Sequence, residues 1–398
     1  MVVKNILRVL YEPHKVFKDI IQNPKYLGAI IVLLLAVAAQ TAFYYSYYSR
    51  THSEQTFPAA EQFGTWTHDA ALWNTNSGAS ISYNYGDLLN NTYYGNSSLQ
   101  FTLSNSDEIF LELDDFQGSV NCDASGFQNV SMRIKIVEPN VAPEKATLSL
   151  YSLNTSNYFQ YDLTQDLSNS IASVWNNLTV PVGSGNWVSN GNPNWQNITG
   201  LRLDLDFSTN SSISLRIQGV FFRGIYDTPI ETNFTGFLIT ILQLALMQFL
   251  FEWVILTGLL YIMIKGLKGT LTWKPLFAAV GFALIITVIQ SLITIAATAT
   301  LPLIYYPIEF LANVPVEAQA ISTQVATSAA TFSMIFGVLQ IVTYLWTIAL
   351  GAIITRTITA PTDEVPSVVP QFGWAKSFLV SGASLFLTII ILGFLIGI

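Results

Sequence analysis

The chain has 398 residues, of which 51% are hydrophobic and only 11% are charged. Soluble proteins carry about 25% charged residues, so this composition excludes an ordinary soluble domain and indicates a large membrane part. The net charge of −8 argues against a nucleic-acid partner, and the single cysteine, Cys122, excludes an intramolecular disulfide.

Charge is segregated along the sequence. Residues 51–235 contain 18 acidic and 6 basic residues, a net charge of −12. The segments 1–26, 265–274 and 356–376 together contain 10 basic and 4 acidic residues, a net charge of +6. Because lysine and arginine favour the cytoplasmic side, we predict a multi-pass plasma-membrane protein with these three segments inside and residues 51–235 outside.

The first 25 residues carry five basic side chains and two short apolar faces separated by Pro13. The apolar positions are Ile6, Leu7 and Leu10 before this proline, and Val16, Phe17, Ile20 and Ile21 after it. This pattern predicts a cytoplasmic amphipathic helix over 1–25 that lies on the inner membrane surface. The alternative is a helix that packs on the rest of the protein.

A first membrane span is predicted over 26–48, since about 20 apolar residues cross a bilayer. Its outer end is aromatic, as at a membrane interface, with Phe43, Tyr44, Tyr45, Tyr47 and Tyr48. The alanines at 38, 39 and 42 would also suit a cleaved signal peptide. The basic region before them is too long for one, which favours an uncleaved anchor.

Residues 51–235 are rich in Asn, Ser, Thr and Tyr, and they show period-two alternation of apolar and polar residues. This alternation marks strands with one buried face at 132–136, 201–207 and 213–217. Further candidate strands are 99–104, 108–113, 146–151, 158–163 and 177–182, with a short helix at 168–175. Eight short strands predict an all-β extracellular domain, a jelly roll or β-sandwich.

The same segment contains eight Asn-x-Ser/Thr acceptors for N-linked glycans, and such acceptors occur nowhere else in the chain. They are Asn90, Asn96, Asn129, Asn154, Asn177, Asn197, Asn210 and Asn233. Their placement supports an outside location with several N-linked sugars.

Four further spans are predicted at 236–264, 275–300, 328–353 and 377–398, so that the carboxyl terminus lies outside. Between the second and third spans is a short basic turn with Lys265, Lys268 and Lys274. Residues 301–317 form a predicted outer loop. Small polar side chains in the first turns of the charge-free run that follows (Ser322, Thr323, Gln324, Thr327 and Ser328) suit close helix packing.

Glu252 is the one ionisable residue deep in a predicted span, on the order of 18 Å of helix rise from Lys265. Gln248 precedes it by one turn, and Gln290 and Gln340 lie in other spans. A charge at this depth is costly, so the site is either a proton or ion relay, or a hydrogen bond between a protonated Glu252 and a glutamine. Interrupted helices and paired repeats typical of transporters are not evident in the sequence.

Candidate ligand contacts in the outer segment are aromatic. Of the tryptophans, Trp187 in a Gly-Ser-Gly-Asn-Trp loop is the candidate for an exposed ring that contacts sugar, whereas Trp175 and Trp195 are expected in the core. Asp204 and Asp206 share one strand face and are candidates for a structural calcium, with a solvated edge as the alternative. Cys122 is expected to be a buried thiol, and no cofactor or catalytic motif is evident.

The membrane half resembles the Yip (Ypt-interacting protein) domain family. The resemblance lies in "LYEPHKVFKDIIQNPKYLGAIIVLLL" (10–35) and "GLKGTLTWKPLFAAVGFALIITVIQSLI" (266–293), together with five spans and an inside amino end. It covers about 6–48 and 236–398, and implies a five-helix membrane bundle. The Asp-Leu-Tyr-Gly-Pro motif of eukaryotic members is absent, so small-GTPase binding is not implied.

The inserted segment is similar to galactose-binding-like jelly rolls of carbohydrate-binding modules. The similar stretches are "VWNNLTVPVG" (174–183), "NWQNITGLRLDLDF" (194–207) and "SISLRIQGVFFRG" (212–224), which are typical of the last strands of that family. This implies the fold and no ligand site. A glycosylated outer domain with few lysines and one cysteine indicates an archaeal surface protein.

These features predict a non-enzymatic integral membrane protein, an accessory or scaffolding subunit that displays its β-sandwich for protein or glycan contacts. Two alternatives stay open: a transport or permeation protein that uses Glu252, and a lectin-like receptor that uses Trp187. The expected partners are membrane lipids, other membrane or surface proteins, and glycans.

Overall fold

The computed structural model of the chain describes residues 2–59, 65–89, 93–168, 173–183, 185–360 and 372–396. It divides into two compact units. The helical unit comprises Met1–Thr51, Thr228–Ile304 and Val325–Ile398, and the β unit comprises His52–Asp227 and Tyr305–Gln324. The β unit is therefore assembled from two separate stretches of the chain.

The helices, in chain order, are α1 (Val2–Tyr11), α2 (Pro13–Gln22), α3 (Leu27–Tyr48), α4 (Thr164–Ser168), α5 (Pro229–Thr232), α6 (Phe234–Gly266), α7 (Trp273–Ala283), α8 (Ile285–Ala297), α9 (Ile308–Leu311), α10 (Pro315–Ser328), α11 (Ala330–Ile358) and α12 (Trp374–Ile396). The strands are β1 (Thr51–Phe57), β2 (Asn74–Thr75), β3 (Ser80–Asn84), β4 (Ser98–Leu113), β5 (Asn129–Glu138), β6 (Lys145–Ser152), β7 (Asn154–Asp162), β8 (Asn176–Pro181), β9 (Val188–Asn190), β10 (Ile198–Asp227) and β11 (Ile304–Tyr306).

Five helical stretches in the described part of the chain are long and apolar enough to cross a membrane. They are α3, α6, the consecutive α7 and α8 with the turn that follows (Trp273–Thr300), α11, and α12 up to Leu395. The prediction of five apolar helices of spanning length is therefore confirmed. We call the end of this bundle where α3 stops and α6 starts the Tyr48 end, and the opposite end the Lys265 end.

The third span is interrupted. Helix α7 ends at Ala283 and α8 begins at Ile285, with Leu284 as a turn between them. The hydroxyl of Thr287 donates to the Leu284 carbonyl at 2.7 Å, which satisfies a backbone group at the break. The predicted span 275–300 is thus found within one apolar stretch, Trp273–Thr300, with a one-residue break at Leu284 that the sequence does not reveal.

Close helix approach at the Lys265 end depends on small residues. A Cβ at Gly281 of α7 would lie 2.5 Å from the Ala29 Cβ and 2.7 Å from the Trp253 ring. The helices α3, α6 and α7 therefore meet where only glycine fits. Around them, Trp253, Leu256 and Leu350 belong to a continuous buried apolar core.

The amino-terminal segment forms two helices, α1 and α2, and their apolar faces pack on the helical unit. Val9, Val16 and Phe17 are fully buried in the same core as the spans, whereas Leu7 is exposed. The segment therefore forms two helices where a single helix over 1–25 is predicted, and a location on the membrane surface stays a prediction. The alternative of a helix packed on the protein describes these residues, because other helices cover the apolar face.

Basic side chains lie against aromatic rings at the Lys265 end. Arg356 lies 4.4 Å from the centroid of the Trp374 ring, and Lys376 lies 3.9 Å from that of Phe372. Lys274 and Tyr26 form a looser pair at 6.0 Å. Aromatic and basic residues are enriched at membrane–water interfaces, which is consistent with the predicted interface here. Most of the predicted inner loop, residues 361–371, lies outside the described residues.

The β unit is organised around β10, which is antiparallel to β1, β4, β5 and β6. The described strands form one sheet with the order β11-β1-β10-β6-β7-β9, to which β2 and β3 add beside β4, and β8 adds beside β5. Inward residues of both halves of β10, such as Leu203 and Leu215, lie in one buried cluster. The sheet therefore closes over a single core, as in a β-sandwich.

Two pairs of predicted strands are continuous in the structure. The segments 99–104 and 108–113 form β4, and 201–207 and 213–217 form β10. The polar stretches between them predict turns, but β4 and β10 stay paired through this region with irregular register near Ser211. The pattern of apolar and polar side chains does not show that the backbone of one strand pairs with that of its neighbour. The predicted helix 168–175 is wrong where described, since α4 ends at Ser168 and 173–175 are not helical.

A buried ion-pair triad joins the second stretch of the β unit to its sheet. Arg223 on β10 donates to Glu54 on β1 at 2.6 Å and 2.9 Å, and to Glu309 on α9 at 2.8 Å. The Ile308 amide donates to Glu54 at 2.9 Å. All three charged side chains are buried, so the predicted outer loop is a packed part of the β unit from Tyr305 onward.

Apolar packing accompanies the triad. Ile308, Ala312 and Val314 lie in a buried cluster with Tyr94 and Phe221. Beyond this cluster α10 is mostly exposed, and its polar residues at 322–324 and 327–328 face outward. The prediction that these polar turns mediate close helix packing is therefore wrong.

The triad makes the β unit sensitive to acid. Burial raises the pKa of Glu309, but the hydrogen bond and charge of Arg223 outweigh this and hold the pKa below its ordinary value. A carboxyl group whose pKa is lower in the folded state stabilises the fold at any pH above its unfolded-state pKa, which is about 4.3 for Glu. This stabilisation is lost as the pH falls through the folded-state pKa. We expect hydrogen-exchange protection of residues 305–324 to be constant above about pH 5 and to fall in more acidic buffer. A Glu309→Gln variant should show a smaller change with pH, and equal slopes for the two proteins would contradict this role.

Candidate functional site

An exposed pair of tyrosines lies at and just after β3, on the edge of the sheet. Tyr83 is 42% exposed and Tyr85 is 69% exposed, and their rings stack with centroids 6.3 Å apart. The Tyr83 hydroxyl accepts a hydrogen bond from the Ala70 amide at 3.1 Å, which helps to fix the ring. The two exposed rings form a small aromatic surface, which we call the tyrosine patch.

A row of polar side chains crosses β3, β4 and β10 on the sheet face opposite to Tyr83, because Tyr83 pairs with the core residue Leu99 and the neighbouring Gln100 faces the other way. Asn84 donates to the Gln100 side-chain oxygen at 3.2 Å, and Arg216 donates to the same oxygen at 2.9 Å. Asp87 accepts from Lys135 at 2.7 Å, from the Trp175 indole at 2.9 Å and from Arg216. These bonds order the row without covering it completely, since its members are only partly buried.

Asp87 stays ionised at the centre of this row. Partial burial raises its pKa, but hydrogen bonds from Lys135, Trp175 and Arg216 outweigh burial and lower the pKa below the ordinary value. The row therefore presents a fixed carboxylate, a guanidinium and amides on the outer face of the sheet. Such groups can donate to and accept from hydroxyls of a ligand.

Trp187 is not the exposed ring that its loop predicts. It is 8% exposed, its indole donates to the Pro181 carbonyl at 2.8 Å, and its ring packs against Tyr161 and Trp195. The basis for treating it as a sugar contact is therefore gone. Trp195 stacks on Phe159 at 3.7 Å beside the core, as predicted.

The predicted glycosylation acceptors differ in accessibility. Asn96, Asn154, Asn177, Asn210 and Asn233 are exposed, and Asn129 and Asn197 are half-buried. Asn233 also caps α6, because its side-chain oxygen accepts from the Gly236 amide at 2.9 Å. Asn90 lies outside the described residues. Attachment of glycans at these sites stays a prediction.

Asp204 and Cys122 do not have the surroundings of a metal or redox site. Asp204 accepts two hydrogen bonds from Arg202, at 2.7 and 2.9 Å, and its strand is flanked by β4 and β6, so the predicted solvated edge is wrong. Among the described residues, no group of three or more His, Cys, Asp or Glu is placed to hold a metal ion. Cys122 is buried, and burial raises its pKa to about 12.

The predicted intramembrane polar residues meet in one cavity of the helical unit. Glu252, Gln248, Gln290 and Gln340 all line a space of about 550 Å³ between α3, α6, α8, α11 and α12. Gln40 of α3 belongs to the same lining. The residues that line this cavity come from five separate helices, so their spacing in the sequence does not reveal that they lie together.

The glutamines pair with one another and not with the carboxyl. Gln40 donates to Gln248 at 2.7 Å, and Gln290 donates to Gln340 at 2.9 Å. Within the described ranges, the Glu252 side chain has no hydrogen-bond or ion-pair partner. The hypothesis of a Glu252–glutamine hydrogen bond is not supported by this geometry. Glutamine pairs do link α3 to α6 and α8 to α11.

Comparisons with known proteins find likeness only at the level of structure. No protein-family model matches the chain, and no curated protein matches it. Solved structures with a similar fold include a family 11 carbohydrate-binding module from Clostridium thermocellum in complex with a β-1,3-1,4-mixed-linked tetrasaccharide. The two are 14% identical with a TM-score of 0.26, over 38% of this chain and 89% of that chain.

Two other similar structures are carbohydrate-binding modules. One, a family 30 module, is 11% identical with a TM-score of 0.28, over 37% of this chain and 79% of that chain. The second is described as a module of the β-sandwich superfamily, 12% identical with a TM-score of 0.28, over 40% of this chain and 60% of that chain. At these values, the likeness concerns the fold and carries no information on function.

Proposed function

We propose that the chain is a non-enzymatic, membrane-anchored surface protein whose β unit binds a glycan at the tyrosine patch. The observation that carries this proposal is the pair of stacked, exposed rings of Tyr83 and Tyr85. Exposed aromatic rings can stack on the face of a sugar ring, and the two rings lie together at the edge of the sheet.

The polar row lies on the sheet face opposite to Tyr83 and is not part of the tyrosine patch. Small-molecule sites combine an apolar surface with a few fixed polar groups that set orientation. Gln100, Arg216 and Asp87 are held in place by their mutual hydrogen bonds. A glycan that stacks on the tyrosine patch and extends around the edge strand β3 would bring its hydroxyls to these groups.

The anchor and the location complete the proposal. The five apolar helices resemble a Yip-type bundle in sequence and would hold the β unit at the outer surface of the plasma membrane, with N-linked glycans. The acidic β unit and the basic Lys265 end support this orientation. In this role the protein is an accessory or scaffolding subunit that contacts surface glycans or glycosylated partners.

A glycan array probed with the full-length protein in mild detergent tests this function. We expect saturable binding of a subset of glycans, reduced about tenfold or more by Tyr85→Ala because the stacking surface is lost. Tyr11→Ala is the matched control, since Tyr11 is 67% exposed and lies on α1, outside the β unit.

Two results would contradict the proposal. One is an array without any bound glycan, and the other is a Tyr85→Ala protein that binds as strongly as the wild type. The full chain is needed here, because a fragment limited to 51–235 lacks Glu309 and leaves Arg223 short of one of its two carboxylates.

A further inference from the structure

We infer that the cavity in the helical unit binds an organic ammonium ion, with Glu252 as its counter-charge. Among the described residues, Glu252 is the only charged residue in the cavity lining, which contains no lysine, arginine or histidine. A carboxylate within a membrane is unfavourable unless an opposite charge pairs with it. A bound cation would offset this, whereas an anion would be repelled.

The hydroxyl groups of the cavity point to the same ligand charge. Five lining hydroxyls donate their single hydrogen back to a carbonyl of their own helix: Thr287, Ser291, Thr294, Thr347 and Thr388. Since a hydroxyl has one hydrogen, each presents only acceptor lone pairs to the cavity. These five hydroxyls therefore offer acceptors that suit a ligand that donates hydrogen bonds.

The size of the cavity and its single carboxylate argue against calcium and magnesium. Calcium takes 6–8 oxygen ligands and usually several carboxylates, and magnesium demands a tight octahedral shell. One carboxyl group in a space of about 550 Å³ meets neither requirement. That volume lies in the range of pockets for small organic molecules.

An aromatic pocket adjoins the cavity at the Tyr48 end. It is lined by Phe43, Tyr44, Tyr47, Tyr48, Phe332 and Phe336, and encloses about 290 Å³. Three of these residues, Phe43, Tyr44 and Phe336, line both spaces. Because aromatic faces attract cations, this pocket provides a favourable route for an ammonium ion between the Tyr48 end and Glu252.

The opposite end of the cavity is closed. Helices α6 and α11 both run from the Tyr48 end toward the Lys265 end. Among the described residues, the last ones that line the cavity are Glu252 on α6 and Thr347 on α11. Past these positions, Trp253, Leu256 and Leu350 are buried in the apolar core of the bundle. The site is therefore a binding cavity reached from the Tyr48 end, and not an open channel.

Binding measurements on the full-length protein in phosphatidylglycerol nanodiscs test this inference. The probe is n-butylammonium, and its neutral counterpart n-butanol is the ligand control. We expect saturable binding of the cation that falls by about tenfold or more in Glu252→Gln and is unchanged in Gln243→Leu. Gln243 lies on the same helix, is exposed and does not line the cavity.

A second measurement uses the wild-type protein and needs no variant to fold. Dicyclohexylcarbodiimide, an apolar reagent, modifies accessible membrane carboxyl groups, and mass spectrometry detects the adduct on Glu252. We expect n-butylammonium to slow this modification and n-butanol to leave it unchanged. Equal protection by both compounds, or protection by neither, would overturn the inference, as would unchanged cation binding by a folded Glu252→Gln protein.

The ammonium group has two natural sources, a free solute and a lipid headgroup. Adding phosphatidylethanolamine to the nanodiscs distinguishes them. If this lipid protects Glu252 from the carbodiimide and displaces n-butylammonium, the occupant is an ammonium headgroup. If n-butylammonium alone protects, the occupant is a free amine.

Discussion

Replacing Arg223 with methionine is expected to destabilise the β unit by about 3–5 kcal/mol, since removal of one partner of a buried ion pair leaves an uncompensated buried charge. In this case two carboxylates, Glu54 and Glu309, would lose their partner together. The variant should also release residues 305–324 from the sheet. Hydrogen exchange of the full-length protein, read separately for β10 and for 305–324, measures both effects.

The matched control is Arg202→Met in the same strand. Arg202 is a third exposed and pairs with Asp204 at 2.7 Å, and partly exposed ion pairs contribute about 1 kcal/mol or less. Replacing all three triad residues by apolar ones should restore much of the stability lost in Arg223→Met, because no buried charge remains. Equal effects of the Arg223 and Arg202 variants would contradict the structural role assigned to the triad.

Replacing Trp187 with alanine is expected to destabilise the β unit by about 3–5 kcal/mol, the usual range for a large buried aromatic side chain. The substitution removes packing against Tyr161 and Trp195 and the hydrogen bond to Pro181. Thermal unfolding of the detergent-solubilised protein, followed by tryptophan fluorescence, is the measurement. Loss of glycan binding in this variant should track loss of folded protein.

Tyr85→Ala provides the contrast for Trp187→Ala. Its ring is exposed, so its removal should change stability by no more than about 0.5 kcal/mol. Glycan binding should nevertheless fall in Tyr85→Ala while the protein stays folded. The opposite pattern, a stable Trp187→Ala protein that no longer binds glycans, would restore the sequence-based interpretation of Trp187 as a ligand contact.

Much of the fold is predictable because lipid and water select different residues. Twenty apolar residues in a row have few alternatives to a membrane-length helix, so five such helices were identifiable from composition. Alternation likewise revealed the inward face of β5 at Met132, Ile134 and Ile136. Alternation does not reveal which strands pair. The polar stretches within β4 and β10 predict turns, but pairing between these two strands keeps both of them extended.

The sites were less predictable, because each depends on contacts between distant parts of the chain. The solitary Glu252 predicts a polar site, but its cavity also needs hydroxyls on α8, α11 and α12 that look ordinary one helix at a time. A signal for the triad exists in the sequence, since Arg223 interrupts an apolar run, Val220–Phe222. The sequence alone does not show which of the 25 acidic residues pair with Arg223.

The divided origin of the β unit has a consequence for biosynthesis. The ribosome makes residues 52–227 first, then α6, α7 and α8, and only afterwards Glu309 and the segment around it. Until that segment has emerged, Arg223 and Glu54 form an incomplete pair, and Phe221 lacks its cover of Ile308 and Val314. The β unit can therefore complete its folding only after helices α6 to α8 of the other unit have been translated. In a chain truncated after Asp227, the apolar cluster around Phe221 lacks Ile308 and Val314.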